Sequence, residues 1–352
     1  MSQEAPASAP SFAVRVNGAD LPLEARVAVT GIAVEDSLDS AATFAIELDN
    51  WDMDTQRVRW SDDQLFQPGG AIEVQLGYVG ELTTVLVGEI TGLELSFPDR
   101  ARSLLTVRGY DRLHRFRRGR RTRSFVQAKD SQVAEQVAGD LQLTADVEDS
   151  GEVHPYLLQH NQTDLDFLLA RARAIGYELL VDDRTLRFRG VASDRGRTAT
   201  LDFGHGLLTF SAYLSTADQV TQVTVRGWDP IAKRALVGRA GASDVPRTMG
   251  GEQVGPATVE GLFGPRTLTV VEYPVATQNE ADLLAAGLLN EVALEYVVAE
   301  ATAVGDPTLR AGSVVELGGL GRRFSGLYYL TRVAHVWEDG FVSRLQLRRN
   351  AA

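Results

Sequence analysis

Short runs of alternating apolar and polar residues, broken by turn formers, dominate this sequence and restrict it to a mainly antiparallel β architecture. The first run places Phe12, Val14 and Val16 on one side and Ala13, Arg15 and Asn17 on the other. Similar runs follow at 25–33, 42–48, 71–78, 83–95 and 103–109, parted by clusters such as Gln67-Pro68-Gly69-Gly70 and Phe97-Pro98-Asp99. With no helical pattern between them, strands at this spacing predict an antiparallel barrel or sandwich. A chain of 352 residues is too long for one compact core, so two or three domains are expected.

The texture changes after Asp111. Asp130 and Ser131 open a short helix with Val133, Val137, Ala138 and Leu141 on one face. A second begins at Thr163, where Thr163 and Asp166 form a capping pair, and runs through Leu165, Leu168, Leu169, Ala172 and Ile175 to Gly176. Strands 177–181 and 185–189 read as a hairpin. Strands return at 207–213 and 219–226, and the Gly- and Pro-rich stretch 238–265 predicts a long exposed loop. Thr277 and Glu280 cap a third helix, and strands fill the chain from Tyr296 onward. The expected division is a first β-barrel at 1–112, a small α+β domain at 113–200, a second, discontinuous barrel at 201–240 and 295–352, and a loop-and-helix insertion at 241–294.

Two internal echoes support the idea of twin barrels. Gly70-Ala71-Ile72-Glu73-Val74-Gln75-Leu76, Val87-Gly88 and Leu105-Thr106-Val107-Arg108 are matched in order by Gly312-Ser313-Val314-Val315-Glu316-Leu317, Ser325-Gly326 and Leu345-Gln346-Leu347-Arg348. Separately, Thr106-Val107-Arg108-Gly109-Tyr110-Asp111 returns as Thr224-Val225-Arg226-Gly227-Trp228-Asp229. The two cannot belong to one linear duplication, since each uses 105–108 in a different register. Shared strand-exit chemistry could also produce either.

The charge balance, 47 acidic against 35 basic residues with a net charge of -12, argues against a general nucleic-acid binder. The absence of cysteine excludes disulfides, thiolate metal sites and cysteine nucleophiles. No apolar run approaches the ~20 residues of a membrane span, and the first eleven residues lack the pattern of a secretory signal. The five histidines, His114, His154, His160, His205 and His335, stand in no recognised catalytic or metal-binding spacing. There is no Gly-x-Ser-x-Gly elbow and no phosphate-binding loop ending in Gly-Lys-Ser/Thr. No catalytic residue, metal or cofactor is expected. The strongest charge feature is seven arginines in twelve residues, Arg112, Arg115, Arg117, Arg118, Arg120, Arg121 and Arg123. Such a run can grip phosphates, or pair with acidic surface on another protein through bidentate guanidinium contacts; its position after a strand, with Leu113 and Phe116 folded down, favours the protein contact.

The order of segments resembles the tailed-phage baseplate hub family, the late-control gene D group, which includes the hub portion of type VI spike proteins and of extracellular contractile injection systems. The likeness rests on Leu76-Gly77-Tyr78, Val87-Gly88-Glu89-Ile90-Thr91, Val107-Arg108-Gly109-Tyr110-Asp111-Arg112, the stretch from Gln159 to Leu168, Val225-Arg226-Gly227-Trp228-Asp229-Pro230, and Phe324-Ser325-Gly326-Leu327-Tyr328-Tyr329-Leu330 with His335. It implies a homotrimer in which two related β-barrels per chain make a pseudo-sixfold ring. It further implies a symmetry adaptor between a trimeric spike and a hexameric inner tube or tube initiator, with an axial channel for DNA or protein cargo and contacts to other baseplate components. Made in the bacterial cytoplasm, it would be built into a phage-tail-like particle. Some relatives continue into an oligonucleotide-binding-fold domain and a needle; because this chain stops at Ala352, the resemblance implies a separate spike protein. The arginine run, Gly88, Gly326, Tyr78, Trp228 and Tyr328 are the candidate interface residues. Rival readings are a peptidoglycan-cleaving tail enzyme and a nucleic-acid regulator using 112–123.

Overall fold

A computed structural model describes residues 9–38, 40–99, 102–191 and 196–352. The Pro/Ala/Ser-rich start, residues 1–8, lies outside them. Six strands build the first unit: β1 (Pro10–Val16), β2 (Val29–Ser37), β3 (Thr43–Asp49), β4 (Ala71–Tyr78), β5 (Glu81–Ser96) and β6 (Leu104–Asp111). They pair in the order β1-β4-β5-β6-β3-β2, all antiparallel, and roll around a core that includes Phe12, Val34, Ile46, Leu76, Ile90 and Val107. The expected strand at 25–33 begins instead as helix α1 (Leu23–Ala28). Pro22 presets the first turn and Leu-Glu-Ala-Arg favours helix, until β-branched Val29 and Thr30 return the chain to strand.

After a 3₁₀ turn at Arg112–Arg117 comes the small α+β domain. It contains β7 (Arg121–Ala128), α2 (Asp130–Asp140), β8 (Thr144–Val147), β9 (His154–Gln162), α3 (Asp164–Ala174), β10 (Tyr177–Asp182) and β11 (Thr185–Gly190). Its two small sheets, β7-β9 and β8-β11-β10, share one apolar core with α2 and α3. Thr163 caps α3 by accepting from the Asp166 backbone N–H, as its sequence position predicts.

The chain then lays down β12 (Ala199–Phe203) and β13 (Gly206–Leu214) and departs into an insertion. That insertion holds the antiparallel pair β14 (Gln222–Asp229) and β15 (Arg234–Gly241), helix α4 (Gly255–Phe263), β16 (Thr267–Val270) parallel to β14, and helix α5 (Gln278–Leu294), which packs on the sheet through Ala281, Leu284, Ala285 and Leu289. Strands β14 and β15 therefore lie in a sheet separate from the second barrel to which 201–240 was assigned. The stretch 238–265 is not a long exposed loop. Its Met249 is fully buried and Pro256 sits in the first turn of α4. Gly250 and Gly251 are glycines because added Cβ atoms would lie 2.6 and 2.4 Å from the backbones of Leu327 and Ala352. Close packing, not exposure, explains Gly250 and Gly251.

The chain returns as β17 (Val297–Val304), β18 (Val314–Gly318), β19 (Gly326–Trp337) and β20 (Phe341–Arg349). The sequence β19-β18-β12-β13-β17-β20 closes on itself through the β19–β20 pairing, giving a closed six-stranded barrel. Strand β19 also joins the units, since Arg332–Trp337 pairs antiparallel with Ile32–Ser37 of β2.

Strand for strand, β1 to β6 correspond to β12, β13 and β17 to β20. The pairs β2–β3, β3–β6, β4–β5 and β5–β6 reappear in the same directions as β13–β17, β17–β20, β18–β19 and β19–β20. Two bulges coincide: Thr91 and Thr331 are skipped in equivalent ladders, as are Thr30 and Leu208. Two departures accompany the match. Strand β1 runs antiparallel to β4 whereas β12 runs parallel to β18, and β1 and β2 do not pair, so the first unit is a rolled sheet and not a closed barrel. The bulges also shift the first echo by two residues, setting Val107 against Leu345. The second echo places β6 against β14, which lies outside both units.

Candidate assembly surface and the junctions behind it

The seam left between β1 and β2 is filled by the second unit. Trp337 meets Phe12 edge to face at a centroid distance of 4.5 Å, the tilted ring of Phe341 lies 5.9 Å from that of Tyr78, and the Tyr78 hydroxyl donates to the Gly305 carbonyl at 3.0 Å. Tyr78, expected at an interface, thus serves one inside the chain. Tyr328 is fully buried in the barrel, donates to the Phe324 carbonyl at 2.7 Å and lies under the Arg349 guanidinium. It is not available to a partner. Gly88 and Gly326 are packing glycines, with Cβ positions 2.2 Å from the Tyr110 carbonyl oxygen and 2.9 Å from the Gly250 backbone. Trp228, 59% exposed at the end of β14, does lie on the surface.

The arginine run is largely spent within the chain. Arg112 pairs with Asp183 and Arg115 with Glu89, which also accepts from His114 at 2.8 Å. Burial would raise the Glu89 carboxyl, but Arg115 and His114 outweigh it and hold it at about 2. Arg120 donates to the Asn161 carbonyl, Arg121 lies 3.1 Å from Asp140, and Arg123 bonds Gln159, Asp140 and Asp164. Arg117 and Arg118 are exposed, with no carboxylate partner among the described residues. Arg112 and Arg115 therefore clamp the first unit to the α+β domain, Arg120, Arg121 and Arg123 brace that domain from within, and Arg117 and Arg118 face outward.

Sequence reasoning missed the buried polar centres at His154, Asp111, Arg349 and His335, because each draws on residues remote in the chain. His154 bonds Asp130 at 2.9 Å and Glu280 of α5, while Arg171 bonds Asp130 at 2.5 Å. Burial alone would lower the imidazole, but the two carboxylates outweigh it and raise His154 to about 9, so it stays charged and ties the α+β domain to the insertion. Asp111 is pushed up to about 7 by burial and by Asp36, against the N–H groups of Ala42 and Leu113. Arg349, fully buried, donates to the carbonyls of Met249, Ser325 and Gly250. His335 is held down at about 4 by burial and sits between Ser343 and the Leu309 carbonyl, both at 3.0 Å. His160 is exposed on β9, and His205 is exposed in the turn between β12 and β13.

Two sheet edges also lie on the surface. Beyond Ile90, β5 pairs only with β6, and Leu93, Leu95 and Phe97 are 38%, 47% and 63% exposed. Beyond Leu207, β13 pairs only with β17, leaving Leu208 and Tyr213 exposed. Unpaired edges of this kind are where strands of other chains add.

The family model described as the Alg8 N-terminal domain matches residues 6–339. The chain belongs to that family. No curated protein matches it. Among solved structures, the family fold seen here is similar to the 43 kDa tail protein of prophage MuSo2 from Shewanella oneidensis, with a TM-score of 0.72 at 16% identity over 97% of this chain and 98% of that one. It is similar to a tail protein from Neisseria meningitidis MC58, with a TM-score of 0.67 at 16% identity over 97% and 96% of the two chains. It also matches the E. coli c3393 protein, described as a type VI secretion component resembling the T4 tail proteins gp27 and gp5, with a TM-score of 0.60 at 12% identity over 96% and 77%. The likeness in fold to these tail and type VI proteins extends along nearly the whole chain. Among the described residues, no helix is long and apolar enough to cross a membrane.

Proposed function

We propose that the chain is the structural hub of a contractile tail or injection-system baseplate, a homotrimer whose six barrel-like units form a pseudo-sixfold ring. The observation that carries this reading is the repetition of one six-strand order within a single polypeptide, down to the position of its bulges. A ring of three such chains presents near-sixfold symmetry to a hexameric inner tube or tube initiator and true threefold symmetry to a separate trimeric spike. Its axis leaves a channel that DNA or protein cargo traverses without specific binding, aided by the net charge of -12. Arg117 and Arg118 are the cations that remain for a neighbouring baseplate component. The role is mechanical and the place of action is a phage-tail-like particle assembled in the bacterial cytoplasm.

Sedimentation of the purified chain tests this reading. Three chain masses per particle, no peptidoglycan hydrolysis and no salt-sensitive duplex DNA binding are expected. A lytic activity lost on replacing one carboxylate, or tight DNA binding abolished by replacing Arg117 and Arg118, would favour the rivals.

A further inference from the structure

We infer that the ring closes between copies by strand pairing, with residues 92–97 of one chain lying antiparallel to residues 210–215 of the next. This rests on the trimeric hub reading and adds the partner and the register to it.

Within the chain the two units meet where the far end of β19 pairs with β2, Arg332 opposite Ser37 through Trp337 opposite Ile32. The equivalent of β19 in the first unit is β5, and the equivalent of β2 in the second unit is β13. On one side β19 carries first β18 and then β2; on the same side β5 carries first β4 and then no strand among the described residues. Strand β13 likewise carries β17 along one edge, as β2 carries β3, and its other edge is open beyond Leu207. Each chain thus makes one such junction and displays, separately, the two halves of another.

The bulges fix the register. Setting Thr91 on Thr331 and Leu208 on Thr30 converts the internal pairing into Gly92 opposite Ser215, Leu93 opposite Leu214, Leu95 opposite Ala212, Ser96 opposite Ser211 and Phe97 opposite Phe210. The faces agree with this. Val333 and His335 are buried and Trp337 is half-buried where the junction is made, whereas their equivalents Leu93, Leu95 and Phe97 are exposed apolar groups on an open edge. Phe97 stands where Trp337 stands, and would pack against the neighbour's second unit where β12 and β13 part beyond Leu207, as Trp337 packs into the gap between β1 and β2 of the first unit. A second copy is the occupant that the internal junction specifies; the contact is head-to-tail, and such contacts generate rings.

The chain has no cysteine, so an engineered pair gives an unambiguous answer. Ser96→Cys and Ser211→Cys are conservative, exposed changes predicted to face each other at a separation a disulfide can span. In the oxidised full chain this double variant should appear as covalent dimers and trimers on a non-reducing denaturing gel, and a mixture of the two single variants as heterodimers. Ser96→Cys with Ser215→Cys places the thiols about 13 Å apart in this register and should cross-link several-fold less. Leu95→Lys, on a side chain already exposed, should raise the assembly's dissociation constant at least tenfold with unchanged circular dichroism. A native trimer that fails to cross-link at 96 and 211, or links equally well at 96 and 215, overturns the pairing and leaves the hub reading standing. A chain that stays monomeric at every concentration overturns both.

Discussion

The two six-strand units show what the same strand order needs in order to become a barrel. In the second, β12 reaches both β18 and β13, and the sheet closes on itself. In the first, β1 never meets β2, and the gap is closed by Trp337 and Phe341 from the other unit. One unit is self-sufficient and the other borrows. The connections differ as well: β2 passes to β3 by a short loop, whereas β13 passes to β17 through the whole insertion, which His154 and Glu280 fasten to the α+β domain. The duplicated framework is constant, and the two units differ in what is hung on it.

That contrast can be broken at the borrowed residue. Trp337→Ala should cost about 3–5 kcal/mol and melt the first unit ahead of the second, a biphasic transition seen by hydrogen exchange on β1 and β2. A single cooperative transition with every amide affected alike would mean that the units do not differ in this way. The fastening of the insertion gives the next largest effect. With His154 raised from 6.5 to about 9, its contribution is complete below pH 6.5 and is lost as pH rises from there through about 9. The buried imidazole then accounts for roughly 3 kcal/mol of pH-dependent stability. His154→Gln should remove that slope in urea titrations between pH 6 and 10; an unchanged slope would show that the Asp130–Arg171–Glu280 setting does not hold the proton.

Much of this framework is legible in the sequence because it is local. Alternation marks the half-buried strands, and Thr163 and Thr277 announce their helices through hydrogen bonds that span three residues. The twin units are legible too, but not their alignment: matching letters paired Leu105 with Leu345, whereas two skipped residues, Thr91 and Thr331, set Val107 there. The candidate interface was the least legible part. Runs of arginine look like surface until their acids are located, and Glu89, Asp140, Asp164 and Asp183 lie far along the chain. Tyr78 and Tyr328 read as strand-end aromatics in either setting, and only topology distinguishes a seam from a surface. Arg349 carries no local signal, since the carbonyls that hold it come from two other segments, Met249–Gly250 and Ser325.

In the proposed assembly one polypeptide supplies two like units to a threefold ring around an open axis. Electron cryo-microscopy of the purified particle tests it most directly. Averaged end-on views with six similar lobes, alternating in pairs and surrounding a hole, are the predicted result. A solid particle, or lobes numbering other than six, would contradict it.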